Sequence, residues 1–214
     1  NLPPFTFCDD KREAGCLLKV IPKVEDRSQA KKDFVSLSRA IYSSDEANMK
    51  QIKDFEANYK KKEILKWYTS ESFLYTVTNS CLRIATSDFI QYCRLPLSDL
   101  EKAIKKQYQE KNKTLLNGLL YRGTYLSEKE WSSFKENLNK GIEMYGFLSV
   151  SKDKNVALNF MKTDSSKKAI ITILVPKGPN LEEQGFIEVD ELSNSTNEKK
   201  DLFNEGSRFI TLVA

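Results

Sequence analysis

Through the first half of the chain, apolar residues recur at helical spacing. Met49, Ile52, Phe55 and Tyr59 share one face behind Ser43-x-x-Glu46, which has the form of a capping box. Leu74, Val77, Cys81 and Ile84 repeat at i, i+3 and i+7, with Thr69 as the expected N-cap. Pro96 is expected to interrupt the chain, and Ser98-x-x-Glu101 to open a third helix with Leu100, Ile104 and Tyr108 inward.

From Leu115 the pattern changes to short apolar runs. Leu119-Leu120-Tyr121-Arg122-Gly123 predicts a strand that ends at a charge and a glycine, the form of a strand ending at a site. Leu126-Ser127-x-x-Glu130-Trp131 predicts a capped helix with a hydrophobic staple and with Trp131, Phe134 and Leu138 inward. Gly141 and Gly146 bracket the turn into a strand at 147–151, and Asp153 then caps a short helix carrying Val156, Ala157 and Phe160. β-branched content makes 169–175 a buried strand, and 186–192 and 208–213 read as two more. Helices first and strands second predict an α+β fold.

Composition narrows the chemistry. With 214 residues, the chain suits one domain, or one domain with an accessory lobe. Histidine is absent, which excludes Ser-His-Asp and Cys-His machinery and histidine metal sites. The 4 cysteines (Cys8, Cys16, Cys81, Cys93) contain no C-x-x-C pair, and disulfides and buried thiols both stay open. A net charge of +4 does not call for a nucleic-acid partner, since lysines 60–62 and 102–113 interleave with glutamates as on solvated helix faces. The longest apolar run, Ala169 to Val175, is too short to span a bilayer. The chain begins at Asn1, so either a leader has been removed or it is part of a larger protein. Two N-x-T sequons, at Asn112 and Asn194, do not fix a compartment, and nothing in the sequence sets the oligomeric state.

Three segments in the second half stand in a telling order: Tyr121-Arg122-Gly123; then Gly146-Phe147-Leu148-Ser149-Val150-Ser151-Lys152-Asp153; then Glu198-Lys199-Lys200-Asp201-Leu202-Phe203-Asn204-Glu205-Gly206-Ser207-Arg208-Phe209. In this order they resemble the arginine–serine–glutamate class of mono-ADP-ribosyltransferases. The stretch 67–75, with Asn79, Leu82 and Arg83, is similar to the helical lobe of the eukaryotic NAD:arginine members. The resemblance covers residues 65–214, and residues 1–64 form a helical segment expected to belong to the same compact unit.

The resemblance implies a helical N-terminal lobe, a strand-rich β core and an NAD cleft. It implies transfer of ADP-ribose from NAD to an acceptor protein, arginine favoured, or to water, with NAD as substrate and no metal. Arg122, Ser149 and Glu198 are the implied catalytic residues, and Arg122, Gly123, Ser149, Ser151 and Phe160 the NAD contacts. The chemistry agrees with these residue types. A guanidinium grips pyrophosphate oxygens, a glycine admits close approach of a ligand, and an aromatic side chain (Phe160, Tyr121 or Tyr125) stacks on nicotinamide. Breaking the nicotinamide–ribose bond passes through an oxocarbenium-like state that needs a nearby carboxylate.

The family's catalytic glutamate falls on Lys200 in this chain. An ammonium would repel the charge that develops, so Lys200 does not substitute. Glu198 is the foremost replacement; Asp201 has the wrong strand parity, and Glu188, Asp190 and Glu191 come from an earlier acidic stretch. Two other readings stay open: a degenerate transferase fold that binds NAD or a protein as a structural module, and an unrelated α+β binding domain.

Overall fold

The computed structural model describes residues 5–8, 21–70, 72–84, 86–110, 118–137, 141–144, 146–161, 167–175, 186–188, 201–203 and 208–210. Five helices come first: α1 (Arg27–Ile41), α2 (Glu46–Asn58), α3 (Ile64–Thr69), α4 (Phe73–Ile84) and α5 (Ser87–Glu110), after a strand β1 (Phe5–Cys8). Asp26 and Asp45 start α1 and α2 by accepting from the backbone N–H of Gln29 and Asn48. The cap of α2 is therefore Asp45 and not Ser43. Thr69 ends α3, its hydroxyl donating back to Leu65 O at 2.8 Å, so it does not cap the helix that follows.

Helix α5 runs through Pro96 without stopping. A proline removes the bond to the carbonyl four residues back, here that of Tyr92, a residue 45% exposed. Packing offsets the loss, because Cys93, Leu95, Leu97, Leu100 and Ile104 along the same helix are buried. The expected third helix is the second half of α5, and Ser98 and Asp99 are buried inside it rather than opening it.

The helices close on an apolar cluster that includes Phe34, Ile52, Phe55, Phe73, Leu74, Leu97 and Leu100. Phe55 meets Phe34 and Phe73 edge-on at 5.5 and 5.7 Å between ring centres. Each such fully buried ring contributes about 1.5–3 kcal/mol. The cluster runs across residue 64 and reaches Phe147 at the edge of the β region. A polar clasp closes its rim. Asp99, fully buried, accepts from both Nη atoms of Arg27 at 2.9 and 2.7 Å and from the Tyr59 hydroxyl at 2.7 Å. Burial, and then the Asp99 carboxylate, push the Tyr59 hydroxyl far above the ordinary tyrosine range, so it keeps the proton it donates.

The second half supplies β2 (Gly118–Leu126), α6 (Glu128–Glu136), β3 (Gly141–Met144), β4 (Leu148–Val150), α7 (Lys154–Asn159), β5 (Lys167–Val175), β6 (Phe186–Glu188), β7 (Asp201–Phe203) and β8 (Arg208–Ile210). They form sheets β1-β3-β8, β2-β5 and β4-β7-β6, and every pairing is antiparallel. Apart from β6 and β7, the paired strands are not consecutive in the chain, and α6 and α7 lie between β2 and its partner β5. An isolated bridge joins the last two sheets: Tyr121 and Ser151 exchange backbone bonds at 2.8 and 2.9 Å. The α+β reading of the sequence agrees with this architecture.

Several local expectations differ from it. β2 continues through Arg122 and Gly123 to Leu126 instead of ending there, because its whole length pairs with β5. β5 is a strand but not a buried one, with Leu174 60% exposed and Ile173 buried. Ser127 and Glu130 do form the capping box of α6, yet Trp131 points outward, held under Lys135 and Lys167 at 5.3 and 5.9 Å. β1 and β3 carry no signal that the sequence reading used. Cys81 and Cys93 are buried free thiols, while the state of Cys8 and Cys16 lies outside the described side chains. Among the described residues, no helix is long and apolar enough to cross a membrane.

Candidate functional site

β2, β4 and α7 bring the candidate residues together. Arg122, midway along β2, donates from Nη1 to the carbonyl of Ser149 on β4 at 2.9 Å. One arm of the guanidinium is thereby fixed, which spends its rotamer freedom before any ligand arrives. The neighbouring bridge between Tyr121 and Ser151 sets the distance between the strands. Ser151 is buried, and its hydroxyl accepts from Asp153 N at 3.1 Å, shaping the turn into α7. Asp153 in turn caps α7 through Asn155 N at 2.8 Å. Phe160, at the end of that helix, is 47% exposed.

Gly123 has a structural reason of its own. A Cβ built there would stand 1.9 Å from the carbonyl oxygen of Ala157, so α7 lies against β2 at a distance only glycine permits. The space that a side chain at Gly123 would take is filled by the backbone of α7, while Gly123 itself also lines the cavity beside Arg122.

Between the helical lobe and these strands lies a cavity of about 520 Å³, a size typical of small-molecule sites. The strand side is Tyr121 to Tyr125, Ser149 to Ser151, Ala157 and Phe160, so Arg122, Gly123, Ser149, Ser151 and Phe160 all line one space. The opposite wall is Tyr42, Asn48, Tyr68 to Ser70, Ser72, Tyr75 and Thr76. It is aromatic and hydroxyl-rich. Arg122 is the one cation among the described lining residues, and none of them is a carboxylate. Glu198 and Lys200, with Asp190 and Glu191, lie outside the described residues. The backbone register sets Leu202 across from Ser149, and Asp201 across from both Val150 and Glu188.

Tyr68 to Ser70, Ser72 and Tyr75 fall in the stretch 67–75 that carries the resemblance, although no role in the site was read for them. Tyr42 and Asn48 come from the segment read as plain helix, and nothing in their spacing separates them from solvated positions. Tyr68 carries the most perturbed environment in the wall. Its burial is the main cause of a raised hydroxyl pKa and neighbouring Tyr75 adds to it, while the Asn79 hydrogen bond and the charges of Arg122 and Arg83 oppose. The Nε of Arg83, one turn beyond Asn79 on α4, is buried without a hydrogen-bond partner.

The architecture of helices and small antiparallel sheets is that of an ADP-ribosyltransferase fold. Two solved structures of the ADP-ribosyltransferase Vis, a toxin of Vibrio splendidus, share it. The Vis complex with agmatine superposes with a TM-score of 0.53 at 20% identity, covering 91% of this chain and 83% of that one. The complex with the inhibitor M6 gives 0.53 at 21% identity, covering 94% and 85%. At this identity the likeness is one of fold. No protein-family model matches the chain, and no curated protein matches it either.

Proposed function

We propose that the chain binds NAD in this cavity and transfers its ADP-ribose to a protein side chain or to water, releasing nicotinamide. The single observation that carries the reading is the convergence of Arg122, Ser149 and an aromatic wall on one cavity within this fold. The free edge of the Arg122 guanidinium offers donors to pyrophosphate oxygens. Phe160, Tyr121 and Tyr125 offer flat faces to nicotinamide. With no carboxylate among the described lining residues, the cavity favours an anionic ligand over a cationic one.

We assign the carboxylate that stabilises the oxocarbenium-like state to Glu198. Leu202 stands opposite Ser149 and Asp201 opposite Val150 in the backbone register, which supports Glu198 over Asp201. Arginine is the favoured acceptor, as in the eukaryotic-type class the sequence resembles. The agmatine bound by Vis supports this choice, because agmatine presents a guanidinium. Lys200 favours a second reading, a degenerate site that binds NAD without turnover.

Incubation with NAD labelled in the adenylate separates the two, scoring protein labelling and free nicotinamide. Turnover by wild type that falls by about a hundredfold in Glu198→Ala supports the enzyme. No turnover until Lys200→Glu is introduced identifies the degenerate site. Wild-type turnover unaffected by Glu198→Ala sinks the assignment of Glu198.

A further inference from the structure

The strand that carries Ser149 is held from the helical lobe. Phe147, just before β4, has both of its backbone polar groups bound by helix side chains. Its N–H donates to Asn79 Oδ1 at 3.1 Å, and its carbonyl accepts from the Tyr68 hydroxyl at 3.2 Å. The two side chains are joined to each other, Asn79 Nδ2 donating to the Tyr68 oxygen at 2.7 Å and to Tyr75 O at 3.1 Å. Asn79 is 4% and Tyr68 1% exposed, so no water competes for these groups. The preceding residue fits the same arrangement. Gly146 has φ 115°, and a Cβ there would come within 2.6 Å of Asn79 Oδ1.

We infer that Asn79 and Tyr68 are positioning residues that fix β4 against the helical lobe, and through it Ser149 and the carbonyl on which Arg122 rests. Only Leu148 separates Phe147 from Ser149, so a hold on both backbone groups of Phe147 is passed directly to the residue that faces Arg122. Asn79 does not line the cavity, so it acts on a ligand only through the groups it binds, Phe147, Tyr68 and Tyr75. Tyr68 does line it, yet its hydroxyl is already committed to Asn79 and Phe147. An aspartate at 79 keeps the acceptor and loses both donors, and a phenylalanine at 68 keeps the ring and loses the link. The assignment rests on the proposed NAD site for its functional half only.

Two measurements test it, one independent of NAD. Hydrogen exchange read by mass spectrometry on the peptide spanning 147–151 is compared for wild type, Asn79→Ala and Tyr68→Phe. Exchange there is expected to quicken about tenfold in both variants while the peptide spanning α1 stays unchanged. No local change, or an equal change along the whole chain, overturns the inference whatever NAD does. The second measurement is the Kd for NAD, expected to rise about tenfold in each variant but not in Ile104→Val, a core change that lowers Tm without touching the clamp. Faster exchange at 147–151 with an unchanged Kd shows that the clamp does not serve the cleft, and overturns its positioning role. Faster exchange in a protein whose wild type binds no NAD sinks the NAD reading and leaves the clamp standing. Should Asn79→Ala fail to fold, Tyr68→Phe decides alone.

Discussion

At the scale of residues, Arg122 and Gly123 are neighbours with different reasons for being what they are. Arg122 is aimed into the cleft and braced on Ser149 O. Gly123 is a packing requirement set by α7, with Ala157 O at 1.9 Å from where a Cβ would stand. Gly123→Ala therefore forces backbone apart from backbone, and it is expected to cost about 1–3 kcal/mol or more. Thermal unfolding checks this, and a Tm equal to wild type would contradict the close approach. Both residues were legible in the sequence through the order of the three segments to which they belong, since an arginine and a glycine at a strand are by themselves a weak signal. Their separate causes were not, since the helix that presses on Gly123 lies over thirty residues further on.

At the scale of elements, the fold depends on contacts that hydrophobic periodicity does not report. Pro96 reads as a break, but burial along α5 overrides the one lost backbone bond. The Asp99 clasp explains why this helix seats firmly against α1 and the end of α2. Its two charged partners differ in exposure, 45% for the Arg27 side chain and 0% for that of Asp99. Removing Arg27 strands a buried carboxylate with only Tyr59, whereas removing Asp99 leaves a guanidinium that water can reach. Arg27→Ala is accordingly expected to cost about 2–4 kcal/mol and to exceed Asp99→Asn, measured by urea unfolding of both variants. The reverse order would show that the clasp owes little to charge. Trp131 gives the opposite lesson about pattern: its helical spacing predicts an inward ring, yet α6 is a surface helix and two lysines cover the indole instead.

At the scale of the whole molecule, the division into helical and strand-rich halves was readable from apolar spacing, and so were the strand-side residues of the cleft. The rest of the far wall was not readable, because Tyr42, Asn48 and Thr76 meet the strands only through the packing of three helices. A cleft between two halves of a chain draws on residues far apart in sequence, and local patterns carry no record of that meeting. The same geometry explains the clamp at Phe147, where α3 and α4 hold the strand that faces them.

The cavity around Arg122 and Ser149 is proposed as an NAD site whatever chemistry Lys200 allows. Calorimetric titration of NAD into wild type and Arg122→Ala tests it without reference to turnover. Saturable binding by wild type, weakened at least about tenfold in Arg122→Ala at equal Tm, is the predicted result. No binding by wild type, or equal affinity in the two proteins, would contradict it.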